Sequence, residues 1–242
     1  MEFKNKVVVV TGASTGIGRA IAVEFAKAGA TVVIISRNKD RLDQTLSLIR
    51  YTGGKAIAFP LDLRDTKAIS KMAIEVKHKF GKVNVLVNVA GIYHSEDKAY
   101  YNIAYPDYTL EEVMETFEVG ITAPAVLCHE LLPVMQRGDK IINISGTFEN
   151  GAKGWLPYYI SKKALEDMTI GLADELKERQ IQVNCISPSD TLTESYKKFF
   201  PEYAKEGSCL VPEDIARLAV SMASSKNHDN GKIVVIKKKR HS

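Results

Sequence analysis

The chain has few cysteines, and none of its residue spacings is typical of a disulfide framework or a metal site. Only three of its 242 residues are cysteine: Cys128, Cys185 and Cys209. An odd, widely spaced set without a C-x-x-C pair is typical of reduced, buried thiols, so we expect a cytoplasmic protein. The five histidines form no H-E-x-x-H or similar ligand spacing, and we therefore expect no metal.

Long apolar runs and a broad excess of charge are also absent. No run of apolar residues approaches the ~20 of a membrane span, so we expect no membrane contact. The net charge is +4, and much of it lies at residues 237–240, where a solvated tail is a better interpretation than a nucleic-acid or lipid contact. Eight prolines and 16 glycines are too few for a disordered chain. We expect residues 1–242 to form one domain.

Short β-branched runs alternate with segments of helical periodicity along the chain. Runs that are apolar at consecutive positions suit strands covered on both faces. The alternation therefore predicts an α/β fold, with a doubly wound, parallel, Rossmann-type sheet of seven strands and helices on both faces. Ligands of such sheets bind beyond the carboxyl ends of the strands. The predicted strands are residues 7–10, 31–35, 56–59, 83–87, 140–144, 181–186 and 232–236.

Two longer segments interrupt this rhythm and are candidate substrate loops. Residues 92–108 hold five of the ten tyrosines and end where Thr109 and Glu112 form a capping box that opens a helix. Residues 189–211 lie between the sixth strand and a helix that begins at Pro212. Long connections of this kind often act as lids or binding loops.

A glycine-rich turn follows the first strand and opens the first helix. Its sequence is Thr-Gly-Ala-Ser-Thr-Gly-Ile-Gly at residues 11–18. Glycine lets the backbone turn tightly and approach a pyrophosphate, whose charge is met by free amides at the helix N-terminus. The position of the turn between a strand and an amphipathic helix predicts a dinucleotide site.

The order of the motifs along the chain resembles that of the short-chain dehydrogenase/reductase family. The resemblance covers nearly the whole length. It implies an oxidoreductase that moves hydride between NADP(H) or NAD(H) and a small-molecule carbonyl or alcohol, and a homodimer or homotetramer. The matching motifs are the turn at residues 11–18, Asp62-Leu63, Asn88-Val89-Ala90-Gly91, Tyr158-x-x-x-Lys162, and Ser187-Pro188 with Thr193.

The resemblance also implies which residues contact the cofactor. Asp62 and Leu63 contact the adenine, although Asp62 could instead only cap the next helix. Asn88, Ala90 and Gly91 line the ribose side, although Asn88 could instead only tie strands together. The remaining predicted contacts are Gly12, Ser14, Thr15, Gly16, Ile17 and Gly18 in the turn, and Ile186, Pro188 and Thr193 at the nicotinamide.

The end of the second strand predicts a preference for NADP(H). NAD-selective relatives carry an acidic residue there, whereas this chain has Ser36, Arg37 and Asn38. Arg37 can pair with a 2′-phosphate, while Ser36 and Asn38 donate hydrogen bonds. An exposed arginine without this role is the alternative.

The proton chemistry is predicted to rest on Tyr158 and Lys162. Hydride transfer requires a proton to move at the substrate oxygen, and free tyrosine, with a pKa of about 10, is too weak an acid near neutrality. A lysine one turn further along the helix lies on the same face, where its ammonium favours the phenolate. Tyr159 and Lys163 have the same spacing, but the residues that follow fit the family when Lys162 is the active lysine.

The substrate-orienting serine of the family stands at the end of the fifth strand. Ser145 lies 13 positions before Tyr158, the family's usual spacing, and is our prediction for this role. Alignment on the strand residues instead puts Gly146 at the serine position. Together, Ser145, Tyr158 and Lys162 are the predicted catalytic residues, and Tyr158 and Lys162 also contact the cofactor.

Three positions depart from the family pattern. Gly120 replaces the asparagine that joins the proton relay behind the lysine, Ser189 replaces a glycine, and residues 232–236 lack the usual Asp-Gly-Gly. We expect a water or a distorted helix beside Gly120, with Lys162 still reached by solvent. These departures leave a second hypothesis open, a catalytically weak dinucleotide-binding protein that regulates or binds a partner.

Overall fold

The computed structural model describes residues 1–148, 151–204 and 207–238. The basic residues Lys239 and Arg240 lie outside the described residues. The strands are β1 (Val7–Thr11), β2 (Thr31–Ser36), β3 (Lys55–Pro60), β4 (Val85–Asn88), β5 (Lys140–Ile144), β6 (Gln182–Pro188) and β7 (Ile233–Ile236). The helices are α1 (Gly16–Lys27), α2 (Lys39–Tyr51), α3 (Thr66–Phe80), α4 (Leu110–Phe117), α5 (Ala123–Leu131), α6 (Leu156–Glu175), α7 (Glu194–Phe199) and α8 (Pro212–Ala223).

All seven strands pair in parallel in one sheet, in the order β3-β2-β1-β4-β5-β6-β7. This confirms the predicted Rossmann-type sheet, and each predicted strand overlaps an observed one. The chain moves outward from β1 to β3 and then returns to the other side of β1 at β4. The reversal places a crevice beyond the carboxyl ends of β1 and β4, where ligands of such sheets bind.

The strands are apolar at consecutive positions because both faces of the sheet are covered. Val7 and Val9 of β1 belong to one buried cluster, which includes residues of α3, α5 and α6. Val8 and Val10 point to the opposite cluster, which includes residues of α1, α2 and α8. This alternation gives the sheet helices on both faces, as the residue pattern predicts.

Local signals at helix ends and at cysteines also agree with the prediction. Thr109 and Glu112 form the expected capping box at the start of α4. Helix α8 begins at Pro212. The three cysteines are free and buried.

One helical stretch is more apolar than the sequence analysis allowed. Leu110–Val134 is 25 residues long, with an apolar window of mean hydropathy 1.3, and by length and composition alone it could cross a membrane. It comprises α4, a π-helical turn (Glu118–Thr122), α5 and a 3-10 turn (Leu132–Val134). It packs against α3 and α6, and its buried residues cover one face of the sheet, although only 39% of the apolar window is buried.

Candidate active site

The three glycines of the turn after β1 lie where a side chain would collide with neighbouring atoms. A Cβ on Gly18 would lie 2.3 Å from the Gly12 carbonyl oxygen, and one on Gly12 would lie 3.1 Å from the Ala90 Cα. A Cβ on Gly16 would lie 2.9 Å from Thr193 Cγ2. The turn therefore packs backbone against backbone at the N-terminus of α1, where amides without intrahelical partners suit phosphate oxygens.

Thr11, which the sequence analysis did not single out as a side chain, joins this turn to the end of β4. Its hydroxyl oxygen accepts hydrogen bonds from the Val89 and Ala90 amides at 3.0 and 3.2 Å. The contact fixes the backbone that leads into Gly91.

Asn88 serves the sheet with its side chain. It is 1% exposed, and its Nδ2 donates to the Asn143 Oδ1 at 2.9 Å. Asn88 Oδ1 has no hydrogen-bond partner among the described residues. The alternative interpretation, in which Asn88 ties strands together, describes the contact of its side-chain nitrogen.

The end of β2 presents Arg37 to solvent, beside two residues whose side chains are already engaged. The Ser36 hydroxyl donates to the Ser14 hydroxyl at 2.8 Å, which joins β2 to the glycine turn. Asn38 Oδ1 accepts from the Arg41 amide and caps α2. The side-chain oxygen of Asn38 is thus used in the helix cap, whereas the Arg37 side chain is exposed.

The acidic residue after β3 is held by an arginine rather than by the next helix. The Arg64 guanidinium donates to both oxygens of Asp62, and Asp65 is the cap of α3. Burial acts to raise the pKa of Asp62, but the hydrogen bonds and charge of Arg64 outweigh it, so the pKa lies below its usual value. Capping of the next helix by Asp62 was therefore the wrong alternative. Leu63 is buried in the core at 5% exposure.

The predicted nicotinamide residues after β6 face different surroundings. Ile186 is fully buried in the α1 and α8 cluster, so its side chain cannot reach a ligand. The Pro188 carbonyl accepts from the Thr147 amide at 3.0 Å. Thr193 caps α7 and touches Gly16 of the glycine turn. Thr193 is thus the residue of this set that the fold brings to the dinucleotide turn.

Tyr158 and Lys162 lie on one face of α6, at the edge of the sheet. The Lys162 Nζ is 5.4 Å from the centre of the Tyr158 ring and donates to the Ile144 carbonyl at 2.9 Å. Gly91 closes the other side, because a Cβ there would lie 2.9 Å from the Lys162 Nζ. Burial raises the pKa of Tyr158, which is opposite to the effect expected from the lysine, and burial lowers the pKa of Lys162 to about 8.

The neighbouring pair with the same spacing points elsewhere. Lys163 is about half exposed in its side chain and pairs with Glu166 at 2.7 Å, whereas Lys162 is 2% exposed. The Tyr159 ring packs on Phe148 at 5.0 Å between centroids. This geometry agrees with the choice of Tyr158 and Lys162.

Ser145, the predicted substrate-orienting residue, has its hydroxyl engaged by another side chain in this structure. Its hydroxyl donates to Glu166 Oε1 at 2.8 Å, and the residue is 4% exposed. Asn143 points its side chain to the same side of β5, toward Thr169 of α6. Ser145 therefore belongs to the contact between β5 and α6. At Gly146, the alternative serine position, a Cβ would meet Phe148 at 3.9 Å, an ordinary van der Waals contact.

The helix is distorted at Gly120, as expected. Glu118–Thr122 forms a π-helical turn, and a Cβ on Gly120 would lie 2.7 Å from the Ser161 Cβ. The expectation that solvent reaches Lys162 is wrong for this structure, because Lys162 is 2% exposed. The backbone of Gly91 and the Ile144 carbonyl enclose its ammonium.

The two longer segments pack together over Tyr158. His94 stacks on Phe199 at 4.8 Å, and the Tyr93 ring lies 5.5 Å from the Tyr158 ring. The Lys198 ammonium donates to the Glu96 carbonyl at 2.5 Å. The residues that cover Tyr158 are therefore largely aromatic, which suits an apolar or ring-containing substrate.

Two acidic residues of this region escaped the sequence analysis. Glu166 binds Ser145, and Glu194 binds the Gly16 amide at 2.9 Å. Glu194 and Gly16 are 178 positions apart, so no local pattern points to their contact. The sequence contains one indication of the Glu166 contact: Lys163 precedes Glu166 by three residues, a spacing that allows an ion pair on a helix.

Comparison with known proteins agrees with this architecture. The family model for short chain dehydrogenase matches residues 6–204. The chain is 32% identical over 236 residues to a 3alpha-hydroxysteroid dehydrogenase of Mediterraneibacter gnavus, covering 93% of this chain and 92% of that protein. The sheet and the sequence match together define a Rossmann-type oxidoreductase. The chain belongs to the short chain dehydrogenase family.

Two further similarities show the range of the family. The chain is 35% identical over 188 residues to the ketoacyl reductase HetN of a Nostoc species, which covers 76% of this chain but only 62% of that longer protein. A short chain dehydrogenase of Burkholderia cenocepacia, solved in complex with NADP, superposes with a TM-score of 0.87 at 26% identity over the full length of both chains. The named substrates of the relatives differ, so they do not define one substrate.

Proposed function

We propose that this protein is an NADP(H)-dependent oxidoreductase that transfers hydride between the nicotinamide and a carbonyl or alcohol carbon. Tyr158 and Lys162 carry the proposal, since α6 holds both on one face beside Gly91, at the carboxyl edge of the sheet. The bound cofactor supplies or accepts the hydride, and the protein positions the substrate and moves a proton.

The fit of the site to a dinucleotide rests on the turn after β1. Its glycines admit close backbone approach, and the first amides of α1 face the same space. Exposed Arg37 would supply a cation to a 2′-phosphate, and no carboxylate follows β2 directly. These features support NADP(H) over NAD(H), with NAD(H) as a weaker second cofactor.

Tyr158 is the acid/base in this proposal. With its pKa raised by burial, the phenol is protonated near neutral pH and can donate its proton to the oxygen of a carbonyl as hydride arrives. The Lys162 ammonium lies close enough to stabilise the phenolate that remains. The pair is thus in the protonation state that carbonyl reduction requires near neutrality.

Ser145 has a different part in this proposal from the one the spacing predicted. Its hydroxyl holds Glu166 of α6, so it supports that helix and does not touch the substrate. With Gly146 at the alternative position, the substrate oxygen is oriented by Tyr158 and by the surrounding aromatic rings. Lower turnover than in relatives with a serine follows from this arrangement.

We further propose a cytoplasmic homodimer or homotetramer, as the family resemblance implies. Exposed apolar side chains on α4 and α6, among them Met114, Ile160 and Ile170, support an interface between copies. Sedimentation of the purified protein tests the assembly, and a monomer at micromolar concentration would contradict it.

A hydride-transfer assay tests the proposed function. NADPH that carries deuterium at the transferred position is incubated with the protein and a panel of ketones, and mass spectrometry follows the label. We expect deuterium on the alcohol carbon of at least one apolar, ring-containing product. Two negative results together would favour the dinucleotide-binding regulator instead. These are tight NADPH binding without label transfer to any ketone, and no oxidation of any alcohol by NADP⁺.

A further inference from the structure

Glu194 joins the segment 189–211 to the glycine turn. Its Oε2 accepts a hydrogen bond from the Gly16 amide at 2.9 Å, and its Oε1 lies 3.0 Å from the Arg19 Nη1. Gly16 is the first residue of α1, a helix of 12 residues, and the cap residue Thr15 makes no side-chain hydrogen bond there. The carboxylate therefore meets an amide that has no partner within the helix.

A pyrophosphate is recognised by the same chemistry. Its oxygens take hydrogen bonds from the first amides of α1 and lie against the glycine turn. Two anions cannot share one amide, and their like charges repel each other at this distance. The approach is also close in space, because a Cβ on Gly16 would lie 2.9 Å from the Thr193 side chain.

We propose that Glu194 occupies part of the pyrophosphate subsite and is displaced when the dinucleotide binds, so that this carboxylate limits cofactor affinity. The inference rests on the NADP(H) binding proposed above. Arg19 retains its contacts with the Ser14 carbonyl and with Thr45 after the exchange, and its Nη1 is then free to face a phosphate.

The exchange acts on the cover of the substrate site as well. Glu194 opens α7, and that short helix carries Lys198 and Phe199, which hold the segment 92–108 through Glu96 and His94. Displacing Glu194 from Gly16 removes one of the ties between α7 and the body of the protein. Cofactor binding thereby loosens the cover over Tyr158 before a substrate enters.

Removal of the carboxylate tests the proposal. Dissociation constants for NADPH and for inorganic pyrophosphate are measured by calorimetric titration for the unaltered chain, Glu194→Gln and Glu194→Ala. Glu202→Gln is the matched control, since Glu202 is an exposed acid of the same segment. We expect both Glu194 variants to bind NADPH about 3- to 10-fold tighter, a modest gain because the Glu194 side chain is 57% exposed. The control is expected to stay within about two-fold.

A crystal structure of the NADP⁺ complex provides the second readout. We expect Glu194 Oε2 to lie beyond hydrogen-bond reach of the Gly16 amide. Unchanged or weaker NADPH affinity in both Glu194 variants, or a Glu194–Gly16 bond that persists in the complex, would overturn the inference while leaving the proposed function standing. If the unaltered chain binds no NADP(H) at all, the proposed function fails and the inference fails with it.

Discussion

The glycine turn after β1 and the region around Tyr158 both contain glycines, but the glycines have opposite effects in the two places. In the turn, Gly12, Gly16 and Gly18 each stand where a Cβ would meet another atom within 3.1 Å. Around Tyr158, Gly120 stands where the family resemblance places an asparagine, and Gly146 is the alternative to Ser145 for the position of the family's serine. The glycine turn, which is the nucleotide half of the site, is therefore held by backbone packing. In the proposed mechanism the other half, the chemical half around Tyr158, depends on the side chains of Tyr158 and Lys162 alone.

The two glycines near Tyr158 differ from each other as well. Gly146 has open space, with Phe148 3.9 Å from a Cβ at that position. Gly120 has none, because Ser161 of α6 packs directly against it. A serine can return to the first position without rearrangement, whereas an asparagine cannot return to the second. The comparison leads to four predictions, ordered by expected effect.

The largest effect is expected at Tyr158, on which the chemical half depends. Tyr158→Phe removes the phenol beside Lys162, so ketone reduction should fall about 10²- to 10⁴-fold. NADPH affinity should change less than about two-fold, since only a hydroxyl is lost. Tyr159→Phe is the matched control, and steady-state assays follow both. Loss of turnover in the control alone would show that the active register had been misassigned.

The second largest effect is expected in the glycine turn, where a substitution should weaken NADPH binding. Gly18→Ala places a methyl group 2.3 Å from the Gly12 carbonyl, so the turn must shift and NADPH affinity should fall about 100-fold or more. Gly171→Ala, within α6, is the matched control, because no atom beyond its own stretch of helix lies within 4 Å of a Cβ there. That control should raise the free energy of unfolding by about 0.5–1 kcal/mol, measured by denaturant titration. Normal NADPH binding by Gly18→Ala would contradict the account of the turn.

A substitution at Arg37 compares the affinities for the two cofactors, NADPH and NADH. Arg37→Ala should weaken NADPH binding about 10- to 100-fold, because a charge-assisted pair with the 2′-phosphate is lost. NADH affinity should stay nearly unchanged, since NADH lacks that phosphate. Equal losses for both cofactors, or tighter NADH than NADPH binding in the unaltered chain, would reject the proposed preference.

The smallest effect is expected when a side chain is added at one of the two glycines near Tyr158. Gly146→Ser should raise kcat for ketone reduction about 10-fold by adding a hydrogen-bond donor for the substrate oxygen. Gly120→Asn should instead lower the free energy of unfolding by about 1–3 kcal/mol, because the new side chain overpacks against Ser161. Thermal unfolding and turnover assays on both variants measure the difference. Faster turnover by Gly120→Asn with unchanged stability would contradict the conclusion that Gly120 has no room for a side chain.

The residue pattern predicted the sheet better than it predicted the site. Parallel strands covered on both faces leave an unmistakable run of β-branched residues, as in β1, and the glycine turn follows directly. The role of Ser145 depended on counting along a loop, and one residue of difference moves the match to Gly146. The side chain of Ser145 turns toward Glu166 because β5 alternates its faces.

The residue pattern could not predict contacts between residues that are far apart in the sequence. Glu194 meets Gly16 only after the sheet has brought β1 and β6 to one edge. The core position of Ile186 and the tie between Asn88 and Asn143 likewise depend on which face of a strand each side chain takes. Burial of Lys162 follows from the approach of Gly91, which no spacing within α6 reveals.

The central claim is that Tyr158 and Lys162 suffice for hydride transfer although Gly120 and Gly146 contribute no side chain. A single-turnover experiment with deuterated NADPH and a ketone substrate tests it most directly, by comparing the unaltered chain with Gly146→Ser. The account predicts label transfer by both proteins, faster in Gly146→Ser, with equal NADPH affinity. Label transfer by neither protein, despite equal and saturable NADPH binding, would contradict it.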